Sequence, residues 1–212
     1  MMILRASSWI LKFRPCLLKA PRSSLPRPET LRHLAEIYSG SDDPWGHLTS
    51  IYEKEKYDAT LVAIGSGPFE KALEIGCGNG TLLARIAPRC RIAIGVECIP
   101  EAARQARMAV SEYNHVTVLE TTAPQGLPNL SPDLVVLSEV LYFLSEEEIF
   151  SLADWLNSGR GPARPRIVCI NWLGATDEPL NGNDAMAAFA RSLSRPGICK
   201  IAKGYRIDIF PS

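Results

Sequence analysis

Several features are missing from this chain of 212 residues, and each absence removes a class of protein. The six cysteines, at 16, 77, 90, 98, 169 and 199, form no CxxC pair, which argues against a zinc ribbon and a disulfide framework. Reduced thiols in a cytoplasmic protein are the expectation, with no metal. No apolar run approaches the ~18 to 20 residues of a membrane span. A soluble chain without a membrane span is therefore expected. Net charge is also lacking, with 23 lysines and arginines against 23 acids, but the balance is uneven. The first 28 residues hold six bases and no acid, so 17 bases face 23 acids in the remainder. A net acidic body repels phosphate backbones, and nucleic acid is excluded as the expected substrate. No internal repeat is visible.

Residues 1 to 28 carry Pro15, Pro21, Pro26 and Pro28 and only short apolar pieces. They contain no continuous apolar stretch of ~7 to 15 residues, so the secretory pattern fails, although an organellar transit peptide fits the charge. They read as a poorly ordered extension. Residues 29 to 212 read as one domain with a full core, and a monomer is expected.

From residue 30 onward, segments of helical spacing alternate with short β-branched runs, which predicts an α/β fold with a largely parallel sheet. Ala72 to Ile75, Arg91 to Val96, Val116 to Leu119, Leu134 to Leu137 and Ile167 to Ile170 read as the first five strands, and the four connections between them read as helical. Leu82, Leu83 and Ile86 fall on one helical face that Pro88 must end. Ser145 before Glu146, Glu147 and Glu148 is a helix start, its acids placed to suit the macrodipole and given no chemistry. Ile198 to Ala202 and Tyr205 to Ile209 alternate with period two about Lys203-Gly204, which predicts a β-hairpin. Seven strands with helices on both faces and a closing antiparallel pair are expected.

The chemistry concentrates at strand ends. Glu74-Ile75-Gly76-Cys77-Gly78-Asn79-Gly80 runs from a strand to a helix starting near Thr81, a context in which glycines let a ligand approach the main chain. A tight turn with no ligand is the blander alternative. A dinucleotide fingerprint requires glycine at position 81, where this chain has threonine, so a nicotinamide dehydrogenase is disfavoured. The GxGxG spacing after an acid instead matches the class I S-adenosylmethionine (SAM)-dependent methyltransferase motif. Glu97, with Cys98 beside it, ends the second strand 23 residues after Glu74, near the interval at which an acid takes ribose hydroxyls in nucleotide folds. After the third strand, Thr121 or Thr122 is the candidate for the adenine edge. Ser138, Glu139 and Tyr142 fall at the carboxyl edge of the fourth strand, where open sheets bind ligands. Tyr142 and Phe143 also read as ordinary core aromatics.

These residues resemble the nodulation protein S (NodS) family of SAM-dependent N-methyltransferases, which act on a free amine of chitin-oligosaccharide precursors. The matching pieces are Asp43-Pro44-Trp45, Tyr52-Glu53-Lys54-Glu55-Lys56-Tyr57, Leu73 to Gly80, Leu134 to Tyr142 and Asn171-Trp172-Leu173-Gly174. The resemblance implies a Rossmann-like class I methyltransferase fold, SAM as cofactor and a small-molecule or oligosaccharide amine as acceptor. On that basis Glu74, Gly76, Cys77, Gly78, Gly80, Glu97, Cys98, Thr121, Thr122 and Ser138 are expected at the cofactor. Glu139 is expected to take a proton from the amine or orient it, with Tyr52, Tyr142, Asn171 and Trp172 at the acceptor. The helix holding Tyr52 to Tyr57 is expected to close over the cofactor, the alternative being an amphipathic helix that packs Leu48, Ile51 and Tyr52 on the core. Two departures stand out: Asn171 occupies a place where the family commonly has histidine, and Gly182-Asn183-Asp184-Ala185-Met186 lacks a second. They leave open a SAM-binding protein without methyl transfer.

The four prolines and the absence of a sustained apolar face generate a first prediction. Deleting residues 1 to 28 should leave the melting temperature and SAM affinity essentially unchanged, as measured by thermal denaturation and calorimetry. A large drop in melting temperature would show that the segment belongs to the fold.

Overall fold

The computed structural model describes residues 27–41, 43–158 and 164–212. The basic extension thus lies outside the described residues except at its end, where Arg27 and Pro28 open the first turn of helix α1 (Arg27–Gly40). A second helix, α2 (Ile51–Ile64), precedes the sheet.

The strands are β1 (Phe69–Ile75), β2 (Cys90–Glu97), β3 (Val116–Glu120), β4 (Leu134–Ser138), β5 (Arg166–Trp172), β6 (Ile198–Ile201) and β7 (Tyr205–Phe210). They form one sheet in the order β3-β2-β1-β4-β5-β7-β6, in which the first five are parallel and β7 runs antiparallel to both β5 and β6. The expected seven-stranded sheet with a closing hairpin is what the chain forms. Its central strands are apolar on both faces, as a sheet covered on both sides requires. Val135 and Leu137 of β4 and Ile167 and Cys169 of β5 point into one core layer with Ile149, Leu152 and Phe189. Their alternates, Leu134, Val136, Val168 and Ile170, point into the other with Ile64, Leu83, Ala103 and Ala106.

Helices α5 (Glu146–Asn157) and α6 (Gly182–Leu193) cover the first layer, whereas α2, α3 (Thr81–Ile86) and α4 (Pro100–Ala109) cover the second. Ile86 is the last residue of α3, and Pro88 sits in the 3-10 turn that follows, as its missing N–H dictates. Ser145 and Glu148 close a reciprocal capping box at the start of α5, which accounts for the acids there structurally. The expectation of four helical connections fails once. The segment between β3 and β4 forms no helix, because Pro124, Pro128 and Pro132 interrupt any ladder of amide donors.

The sheet's order reverses between β1 and β4, and this reversal positions the site. Ile75 of β1 is level with Val96 of β2 on one side and Leu137 of β4 on the other. The next residues, Gly76, Glu97 and Ser138, therefore emerge side by side at the carboxyl edge, where chains diverge and leave a crevice. No helix among the described residues is long and apolar enough to cross a membrane.

Asp133 fixes the opposite edge. Its carboxylate accepts the amides of Glu70 and Lys71 at 2.8 Å each, while its main chain pairs with Lys71 and Arg166. Asp133→Ala should lower unfolding free energy by about 2 kcal/mol, the scale of charge-assisted bonds to a half-exposed edge. Chemical denaturation reads this directly, and a loss below a few tenths would show that water replaces the carboxylate without penalty.

Candidate active site

The loop after β1 turns back on itself through Gly76, Gly78 and Gly80, all at positive φ. The amides of Gly76 and Cys77 both donate to the carbonyl of Val96, which presses the loop against the end of β2. There Glu97 is buried, and its carboxylate accepts the Gly78 amide on Oε2 and the Ile99 amide on Oε1, each at 2.9 Å. Burial pushes this carboxyl up, against the downward pull of the amide donors. Cys98 also donates to this carboxylate, which lines the open space and, as an acceptor on both oxygens, can take hydroxyl donors there. Glu74, one strand over, is almost fully buried, its carboxyl pushed well up by burial and then by the Glu97 charge. Its Oε2 has no hydrogen-bond partner in the protein, which is unusual for a buried carboxyl oxygen.

These groups line one cavity of about 530 Å³, within the range of small-molecule sites. Its roof comes from the N-terminal segment. Leu34 and Tyr38 of α1 pack with Ile99 and Ala102, and Tyr38 meets Trp45 edge to face at 5.2 Å between ring centres. The Tyr38 hydroxyl stands 3.0 Å from where a side chain at Gly78 would begin.

The other half of the cavity is built around Glu139, a non-glycine residue held at φ 55° in the left-handed region, a conformation of order 1 kcal/mol or more above the ordinary one. Its amide donates to the Ile170 carbonyl of β5. Its Oε1 accepts Lys56 Nζ at 2.8 Å, and its Oε2 accepts both the Tyr142 hydroxyl at 2.9 Å and the Trp172 amide at 2.7 Å. Lys56 also donates to Glu53 at 2.9 Å, whose second oxygen lies 3.3 Å from His47 Nδ1. Burial works to lower the Lys56 ammonium, but the Glu139 charge and hydrogen bond, followed by those of Glu53, outweigh it and the net direction is up. Among the lining residues are six acids, Glu53, Glu74, Glu97, Glu139, Asp177 and Glu178, against Lys56 and two histidines, His33 and His47. Such a cavity favours cationic over anionic guests.

Of the residues expected at the cofactor, Glu74, Gly76, Cys77, Gly78, Glu97, Cys98, Thr121 and Ser138 line this cavity together. Glu139, Tyr52, Tyr142 and Trp172 line it as well. Three expected residues are not in its lining. Gly80 faces α4, Thr122 follows the lining Thr121 without reaching the space, and Asn171 is fully buried with its amide 3.6 Å from Met186 Sδ. Sequence reasoning missed Tyr38, His47, Glu53 and Lys56. The last two share a helical face with Tyr57 and Thr60, and that face is buried. Leu48 and Ile51, which the alternative reading of an amphipathic helix packed on the core, are more than 70% exposed.

With this geometry established, resemblances to known proteins become specific. Residues 28–154 match the family model described as Nodulation protein S (NodS), more than half of the chain. The Nodulation protein S of Sinorhizobium fredii (strain NBRC 101917 / NGR234) is 29% identical over 115 residues, 54% of this chain and 53% of that protein. The chain spans about half the length of the curated relatives it matches. Among solved structures, N-methyltransferase NodS from Bradyrhizobium japonicum WM9 in complex with S-adenosyl-L-homocysteine (SAH) superposes with a TM-score of 0.72 at 21% identity. It covers 85% of this chain and 97% of that one. A putative methyltransferase from Pseudomonas syringae gives 0.67 at 25% identity, covering 77% and 100%. At 21% identity the first likeness establishes the fold.

The last two glycines of the loop should separate by function. A β-carbon at Gly80, where φ is 80°, would lie 2.7 Å from the Ala106 main chain, whereas one at Gly78 meets only the Tyr38 hydroxyl at the cavity wall. Gly80→Ala should destabilise the fold by about 2 kcal/mol or more, through strain plus displacement of α4. Gly78→Ala should lose about 1 kcal/mol from backbone strain. Equal losses in urea denaturation would contradict the assignment of Gly80 to packing and Gly78 to the cavity.

Proposed function

The chain belongs to the nodulation protein S family, and from that premise we propose that it transfers a methyl group from SAM to an amine acceptor. The observation that carries this reading is the Glu97 carboxylate, held by the Gly78 and Ile99 amides at the sheet's switch point and lining the cavity. Two vicinal ribose hydroxyls match that arrangement, and Glu74 with its orphaned oxygen suits the ammonium of the methionine part. Thr121 borders the space where the adenine edge fits, with Ile99 and the α1 residues over the ring. SAM, when bound, supplies a methyl group already activated by a sulfonium.

What remains for the protein is alignment and charge. Tyr52, Tyr142 and Trp172 wall the acceptor half, and the aromatic surface of Trp172, left partly exposed beside Tyr52, suits the apolar face of a sugar ring. An amino sugar, such as the free amine of a chitin-oligosaccharide precursor of nodulation factors, is the acceptor that this wall and the family membership favour. The acid-rich lining attracts such an amine and repels acceptors bearing phosphate. Asn171, standing where the family commonly has histidine, is buried behind the wall, so its identity is a weak argument for a silent protein. Glu139 orients the amine or takes its proton.

Calorimetry with SAM, SAH and NAD tests the cofactor: SAM and SAH bind and NAD does not. Glu97→Ala should weaken SAM by about 100-fold or more, the equivalent of two charge-assisted hydroxyl bonds at ~1.5 kcal/mol each. Unchanged affinity would remove the cofactor assignment. Methyl release onto an amine panel tests the reaction, and Glu139→Gln tests the role. A rate loss of roughly 10² to 10⁴ marks a base, a loss of tens an orienting anion, and activity within a few-fold of wild type excludes both.

A further inference from the structure

We propose that Lys56 is a positioning residue for the acceptor half of the site: from α2 it fixes the Glu139 carboxylate as an immobile anion beside the acceptor nitrogen. The helical cover thereby becomes part of the reaction centre. This rests on the methyl-transfer reading given above.

Lys56 lies on the buried face of α2 and is 4% exposed, a place where an apolar side chain would pack without the desolvation penalty of an ammonium. Stability alone therefore gives no reason for a lysine there. Its two carboxylate partners differ in reach: Glu53 is one turn away on the same helix, whereas Glu139 is 83 residues distant, at the end of β4. Lys56 is the one lysine or arginine among the described residues that line the cavity. It also lies 5.5 Å from the centre of the Tyr52 ring, so the same ammonium borders a wall assigned to the acceptor.

Glu139 is held from three directions, by Lys56 of α2, by the Tyr142 hydroxyl and by the Trp172 amide of β5. The ionisable groups around it are Lys56, Glu53, Tyr52 and Tyr57 of α2, His47 of the preceding turn, and Tyr142. A carboxylate with donors on both oxygens is a fixed negative charge more than a proton carrier. That is what the chemistry needs. As the neutral amine gives its lone pair to the methyl carbon, the carbon–sulfur pair returns to sulfur and the nitrogen becomes positive with its protons still attached. The fixed anion stabilises that charge as it forms, and the proton leaves to water afterwards.

Lys56→Met, Lys56→Gln and Lys56→Arg are compared with wild type in three measurements. These are steady-state methyl transfer to fully deacetylated chitobiose, calorimetric titration of that diamine into the protein–SAH complex, and SAH affinity. The Met and Gln variants should lose about 20-fold or more in kcat while binding SAH within about three-fold of wild type. They should bind the diamine as well as wild type or better, because two carboxylates lose their counter-ion. Arginine should restore kcat to within about five-fold. A packing role would instead lower all three quantities together without rescue by arginine, and that outcome, or wild-type kcat in the Gln variant, overturns the inference. If Met does not fold, Gln and Arg decide it. Methyl transfer by wild type with unaffected variants overturns the inference alone, whereas a wild type that neither binds nor methylates any amine removes the methyl-transfer reading and this inference with it.

Discussion

Glu97 accepts two main-chain amides, one from the loop after β1 and one from the start of α4, and the geometry of the cavity follows from that clamp. The amides draw the glycine loop over the end of β2, which sets Gly78 against the open space and Gly80 against α4. The helix after the loop has only six residues, so a short helix contributes little of the field that a longer one would. The carboxylate and the loop amides carry the anchoring instead. Because Glu97 lies beside Gly76 and Ser138 at the point where strand order reverses, one residue's placement relates the cofactor half to the acceptor half.

The cover over this floor is built on a different principle. The α1 contribution is apolar and aromatic, through Leu34 and Tyr38, but α2 turns an ion pair inward. Burying Glu53 and Lys56 against the half-buried Glu139 sacrifices stability that hydrophobic packing would supply. The left-handed backbone at Glu139 adds to that sacrifice, and the three donors on its side chain hold it in place. Strain and a half-buried charge paired with the buried Lys56 meet at the same residue, a combination that packing alone does not explain.

Much of this was legible in the sequence. Strands β1 to β5 were recoverable as short β-branched runs and the hairpin by its period-two alternation about Lys203-Gly204, and the spacing of the acid-glycine loop and Glu97 was enough to put both on one cavity. The acceptor half was harder. Glu53 and Lys56 belong to a run of charges whose spacing does not say which of them face inward, and only tertiary context shows these two buried, while Leu48 and Ile51 look outward. The connection before β4 carried a helical spacing that its three prolines overrule. Asn171 was placed correctly at the end of β5, but which way its side chain points depends on strand parity relative to α6, and it points into the core. Such parity is set by pairing with β7, which no local pattern encodes.

The central claim is that one cofactor seats on the Glu97 clamp beneath a roof made by α1 and α2. Amide hydrogen exchange with and without SAH tests it most directly. The account predicts slowed exchange at 76–80 and 97–99 and across α1 and α2, with β6 and β7 unchanged. Protection confined to other segments, or none at the Gly78 and Ile99 amides at saturating SAH, would contradict it.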